Sequence, residues 1–174
     1  LDEIEIKLII DQIKNLNLTN IFFINKAEIN NLISSNPLIE KYQIFKSYPS
    51  AIKIKIKKTN FTARINHNKE IFIIGSNGKL IPNNSQASDL PYIFGKPEIQ
   101  EFLQFKKIID QSRFSFDEIE SLYFFPSKRW DIKLKNSILL KLSNNSTVAS
   151  LDNAYEFLKD KNIGKFTTID IRID

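Results

Sequence analysis

The stretch Ala51-Ile52-Lys53-Ile54-Lys55-Ile56-Lys57 alternates apolar and charged residues without a break. Successive side chains on a strand point to opposite faces, so the isoleucines share one side and the lysines the other. A helix would scatter those isoleucines around its circumference. The chain is therefore committed here to a half-buried strand and to a layer that covers its isoleucine face. The lysine face reads first as solvated surface, with an acidic partner or membrane headgroups as the second reading. A similar alternation closes the sequence. From Phe166 to Asp174, Ile169, Ile171 and Ile173 point one way, and Thr168, Asp170 and Arg172 the other.

The rest of the chain supplies layers for such strands. Ile4, Leu8, Ile9, Ile13 and Leu16 recur at helical spacing and predict a helix over Asp2 to Leu16. Asn25 with Glu28 predicts a capped second helix that buries Ile29, Leu32 and Ile33 and stops at Asn36-Pro37. Leu38 to Phe45 and Phe61 to Ile65 read as strands. Glu70 to Ile74 and Lys79 to Ile81 read as a hairpin, because Asn77-Gly78 supplies the positive φ of a tight turn. Leu90 to Gly95 reads as a turn into a helix that begins at Pro97 and buries Ile99, Phe102, Leu103, Phe105, Ile108 and Ile109. Ser115-Phe116-Asp117-Glu118 has the form of a capping box and predicts a short helix over Phe116 to Leu122. Trp130 to Lys135 and Ile138 to Leu142 are expected as paired strands, and Ser150 as the cap of a helix through Leu158 and closing near Asn162-Ile163-Gly164. The class is α+β. A two-helix, short-sheet unit covers 1–66, and a mainly antiparallel β domain with packed helices covers 67–174, divided near His67 without a long spacer.

Composition narrows the function classes. Lys and Arg number 25 against 20 Asp and Glu, a net charge of +5. The basic residues are dispersed, with no Arg-rich stretch, so no nucleic-acid partner is expected. No apolar run approaches the ~18 residues of a membrane span. The chain begins at Leu1 rather than Met and reads as a fragment, with any signal or membrane anchor upstream. It has no Cys, hence no disulfide and no thiolate metal site. His67 is the sole histidine, in the polar turn Asn66-His67-Asn68, without a second ligand type clustered beside it. No glycine-rich phosphate loop occurs. Asp117, Glu118 and Glu120 fall where carboxylates suit a helix N-terminus. A hydrolase built on Asp131 or Asp170 would need a pocket with a perturbed carboxylate. No catalytic residue, cofactor or metal is expected.

Two features look like binding surfaces. Trp130, beside Lys128 and Arg129, is either a core anchor or an interface hot spot. The terminal strand is the stronger candidate: at a sheet edge its free backbone groups would accept a partner strand, unless chain beyond Asp174 covers it.

Four stretches together resemble a known family. Asn20-Ile21-Phe22-Phe23-Ile24, followed by a helix and Leu38-Ile39-Glu40-Lys41, resembles the middle of a POTRA domain. Tyr48-Pro49-Ser50 before the alternating strand resembles that domain's ending, and Leu90-Pro91 to Gly95 resembles the turn that opens the long helix of a second, β domain. Arg129-Trp130-Asp131-Ile132-Lys133-Leu134 and Ile169-Asp170-Ile171-Arg172 resemble its hairpin and late strand. In this order they are similar to the extracytoplasmic region of the bacterial cell-division family FtsQ, called DivIB in Gram-positive bacteria. The resemblance implies a non-enzymatic divisome scaffold in septum formation, single-pass in the inner membrane, with this region in the periplasm and its anchor upstream of Leu1. It implies binding of the FtsB–FtsL pair by strand addition at the C-terminal strand. Carried over, the partner-binding residues are Thr168, Asp170, Arg172 and Ile173, with Lys128 as a nearby basic contact. It also implies a first POTRA strand lying before Leu1. The rival reading is a POTRA-bearing chaperone or transport module for outer-membrane or secreted proteins.

Overall fold

The computed structural model describes Asp11 and residues 26–47, 51–83, 89–145, 147–159 and 167–172. The expected helix over Asp2 to Leu16 apart from Asp11, the segment Asn20 to Ile24, the cap at Asn25, the close near Asn162 to Gly164 and the site residue Ile173 lie outside these residues. The chain divides into two compact units, 1–60 with Gly75–Ile81, and 61–74 with 82–174. The expected division after residue 66 falls at the end of a strand, Phe61–His67, that the second unit holds whole.

In the first unit, helix α1 (Lys26–Ser35) buries Ile29 and Ile33. It ends before Asn36, whose side-chain oxygen accepts the Leu38 amide at 2.9 Å and turns the chain. Strands β1 (Ile39–Ser47) and β2 (Ala51–Lys58) pair antiparallel as a ribbon. Tyr42 opposes Ile56 and Ile44 opposes Ile54 on the half-buried face. Gly75–Ile81 clasps this unit. The Asn77 amide donates to the carbonyls of Pro37 (2.9 Å) and Ile39 (3.0 Å). The Lys79 ammonium donates to the Ser34 carbonyl in the last turn of the helix and to the Asn36 carbonyl just beyond it, where a cation also suits the helix dipole.

The second unit carries β3 (Phe61–His67), β4 (Glu70–Gly75, to Ile74 within this unit), β6 (Tyr92–Phe94), β7 (Ile119–Phe124), β8 (Trp130–Leu134), β9 (Leu139–Lys141) and β10 (Thr168–Asp170), with β5 (Leu80–Pro82) between β4 and β6 in the chain. The strands β3, β4 and β6 to β10 follow one another in the sheet in the order β10-β9-β8-β7-β6-β3-β4. The α+β class stands, but the pairing is more mixed than a run of hairpins. β7/β8 and β8/β9 are antiparallel, whereas β3/β6, β6/β7 and β9/β10 are parallel. Helix α2 (Ile99–Gln111) makes the crossover from β6 to β7, and α3 (Val148–Lys159) the crossover from β9 to β10. Both connections move the chain the same way across strands of the same direction. Right-handed crossings therefore put both helices on one face. Arg113, just past the end of α2, ties the chain to α3: its amide donates to Asp152 at 2.7 Å and its guanidinium pairs with Glu156.

That face carries a lateral row of apolar residues in register: Ile65, Ile93, Leu122, Ile132, Leu140 and Ile169. Beside the row, Trp130 stacks on Phe105 of α2 at 4.8 Å and 7° and lies 4.7 Å from Phe124. Trp130 is 6% exposed, so its role here is the core anchor.

Three local expectations change. Phe116–Glu118 is a single 3-10 turn, and Ile119–Phe124 is a central strand. The Ser115 side chain makes no capping bond; the turn is closed by backbone bonds, Glu118 N–H to the Ser115 carbonyl at 3.0 Å and Ile119 N–H to the Phe116 carbonyl, while Ile119 and Leu122 are fully buried in the sheet. Tyr92–Phe94 is a strand between β3 and β7. The α2 cap is Glu98, its amide bound by the Glu101 carboxylate at 3.1 Å, and α3 starts after Thr147, whose hydroxyl accepts the Ser150 amide at 3.2 Å. Gly95 has φ +101°, and a Cβ there would lie 2.3 Å from the Phe124 carbonyl oxygen.

Gly95→Ala is expected to destabilise the chain by about 1–3 kcal/mol from backbone strain alone. Leu122→Ala, in the middle of the row, should cost about 2–5 kcal/mol. Urea unfolding followed by circular dichroism measures both.

Candidate protein-binding edge

β10 ends the order of the described strands, so among the described residues one side of it has no paired strand. It pairs with β9 as Thr168 with Leu139, Ile169 with Leu140 and Asp170 with Lys141. The Thr167 carbonyl accepts the Leu139 amide at 2.9 Å, and the Ile171 amide donates to the Lys141 carbonyl at 3.0 Å. In a parallel pair, alternate residues of a strand bond to the same neighbour. Residues 167, 169 and 171 therefore bond inward, and the backbone groups of Thr168 and Asp170 face the open edge. Ile169 joins the apolar row, and Thr168, Asp170 and Arg172 are exposed.

Charge is concentrated at this end of the strand. The Arg172 guanidinium forks onto Asp170, with Nε to Oδ1 at 2.7 Å and a second bond to Oδ2. The Arg172 side chain holds the Asp170 carboxyl down at about 2, and Asp170 in turn raises Arg172. Lys141 and Asp131 lie in register with Asp170 on the same face of the sheet. Asp131 is 3% exposed. Its carboxylate takes the Arg129 guanidinium at 3.1 Å and the Leu142 amide at 3.2 Å. Arg129 lies over the Phe125 ring at 4.1 Å.

Of the residues expected at the site, Thr168, Asp170 and Arg172 share one exposed edge. Lys128 is in the turn between β7 and β8, with φ +63°, and its ammonium pairs with Glu101 of α2 at 3.1 Å. The Glu98 amide, and then the Lys128 ammonium, hold the Glu101 carboxyl below its ordinary value. Ile173 lies outside the described residues. Lys141 was not foreseen as part of the site. The strand register reveals it, and the alternation in Leu139-Leu140-Lys141 gave the only sequence signal for it. His67 is exposed at the end of β3, edge-on to Phe72 at 5.9 Å. Among the described residues, no cluster of three His, Asp or Glu side chains could hold a metal, and no helix is long and apolar enough to cross a membrane.

Because the folded pKa of Asp170 is below its unfolded value, the pair's contribution is present above about pH 4 and is lost as pH falls through about 2. Carboxyl NMR titration should give Asp170 a midpoint of about 2. In Arg172→Gln that midpoint should rise towards the ordinary value of about 3.9. An unchanged midpoint would mean that the pair does not form.

Comparison with known proteins supplies a family. A DivIB cell-division protein of Clostridium botulinum is 32% identical over 74 residues, 42% of this chain and 29% of that protein. An FtsQ cell-division protein of Rhizobium meliloti is 20% identical over 176 residues, 95% of this chain and 56% of that protein. The chain thus spans between about a third and just over half of the length of these curated relatives. The solved major extracytoplasmic domain of the cell-division protein DivIB from Geobacillus stearothermophilus is similar at a TM-score of 0.42 and 10% identity, covering 63% of this chain and 95% of that one. Residues 4–58 match the model "POTRA domain, FtsQ-type". Residues 63–172 match "Cell division protein FtsQ/DivIB, C-terminal", and the chain belongs to that family.

Proposed function

We propose that this chain is a non-enzymatic adaptor of the division machinery, and that its open β10 edge takes a strand from a partner. The observation that carries the reading is the geometry of that edge. Ile169 fastens β10 to the apolar row while the backbone groups of Thr168 and Asp170 face outward. A partner strand would gain affinity from main-chain hydrogen bonds and register from flanking side chains. Asp170, Arg172 and Lys141 offer both signs of charge for that register. The partner, by family, is the extracytoplasmic part of the FtsB–FtsL pair. Lys128 is a supplementary basic contact that must leave or share Glu101 to act, and Ile173 is carried into the site by the family resemblance. The whole protein is taken to be anchored in the inner membrane, with this region in the periplasm.

Calorimetric titration with the FtsB–FtsL region from the same organism tests this reading. Thr168→Pro is the sharpest variant. Its amide faces the open edge, where proline leaves the β9 pairing intact and removes a donor the partner needs. Binding should fall at least tenfold with circular dichroism unchanged. Arg172→Glu should weaken binding roughly ten- to hundredfold, if it is one of the few residues on which the interface depends. Wild-type affinity in both variants would remove the edge from the site.

A further inference from the structure

The lysine face of the β1–β2 ribbon is not accounted for by the edge. Lys41, Gln43 and Phe45 stand directly opposite Lys57, Lys55 and Lys53, so the six side chains share one face. All six are exposed. Among the described residues, Lys41, Lys53 and Lys57 have no ion-pair partner, and Lys55 sits over the Phe45 ring at 5.5 Å. The nearest carboxylate in sequence, Glu40, is bonded to the Ser76 hydroxyl at 2.8 Å and the Thr59 hydroxyl at 3.2 Å. Like charges directly opposite each other on a ribbon destabilise it, and Lys41 against Lys57 is such a pair.

We infer that this face docks on an anionic phospholipid surface. Charge complementarity is the first argument. The cations are lysines only, hydrated point charges on flexible stems that suit a diffuse field of phosphate groups. An acidic peptide is better gripped by the fixed fork of arginine, and the face has none. Phe45 is the second argument. It is 45% exposed and flanked by lysines, so its ring would enter the boundary between headgroups and acyl chains while the ammonium groups stay at the phosphates. The inference does not depend on strand addition, since its residues all lie in the first unit.

Vesicle sedimentation of the whole 174-residue chain tests it, with phosphatidylglycerol mixed into phosphatidylcholine and with phosphatidylcholine alone. The chain should bind the anionic vesicles at low salt, release steeply as salt rises, and ignore the neutral ones. Each lysine near such a surface is worth roughly a fivefold factor in partition. The triple variant Lys53→Gln, Lys55→Gln and Lys57→Gln should therefore lose roughly a hundredfold. Phe45→Ser should lose a few-fold. A charge-matched control, Lys96→Gln, Lys107→Gln and Lys135→Gln, removes exposed lysines elsewhere and should stay within about twofold of wild type. Melting curves establish that both triples fold. Equal loss in the two triples would overturn the inference in favour of net charge. Failure of the wild-type chain to bind anionic vesicles would overturn it outright. If a polyglutamate peptide then bound in a Lys53-, Lys55- and Lys57-dependent way, an acidic protein segment would be the occupant instead.

Discussion

The lateral row Ile65, Ile93, Leu122, Ile132, Leu140 and Ile169 is the constraint on which the second unit depends. Each member supplies its strand with one residue that must face the helices. Burying such a side chain is worth about 1.5–3 kcal/mol, and the alternation of a strand then leaves no freedom in what its neighbours do. At β10 the consequence is direct. With Ile169 inward, Thr168, Asp170 and Arg172 must lie on the other face. A slip of one residue would expose Ile169 and bury charge. The Trp130 cluster holds α2 over the same row, so the strand furthest from the centre is positioned by contacts that start at the centre.

Recognition at this edge would be mostly main-chain and weakly sensitive to salt. The lysine ribbon of the first unit is the opposite kind of surface, with little geometry and much unneutralised charge, screened over a distance of about 10 Å at 0.1 M salt. One chain thus carries a surface suited to a strand and a surface suited to a charged plane. Neither has the enclosed, convergent polar groups of a catalytic site. Asp131 and Asp170, the carboxylates a hydrolase would have used, are each tied to a guanidinium.

Much of this was legible in the residues. Strong period-two contrast located β2, β8 and β10, and the same contrast put Thr168, Asp170 and Arg172 together. Helical spacing found the inward stripe of α2, of which Phe102, Phe105 and Ile109 are buried and Ile99, Leu103 and Ile108 half-buried. What stayed hidden was set by partners distant in sequence. Tyr92–Phe94 is too short for any periodicity, and it becomes a strand because β3 and β7 bond it from both sides. Ile119 to Phe124 stood behind a sequence with the form of a helix cap, and pairing with β6 and β8 outweighed that local signal. The Glu101 partner of Lys128 lies on a helix 27 positions earlier in the chain, across a contact that composition cannot show. Asn77 was read for its turn. Its grip on the Pro37 and Ile39 carbonyls comes from the fold.

The most direct measurement is residue-resolved amide hydrogen exchange across β10, with and without the extracytoplasmic FtsB–FtsL region. In the free chain, Thr168 and Asp170 should exchange quickly while Ile169 and Ile171 are slowed by β9. Adding the partner should slow Thr168 and Asp170. Protection of those two amides in the free chain would mean that the edge is already covered. Unchanged exchange at saturating partner would mean that binding occurs elsewhere, and either result would contradict strand addition at β10.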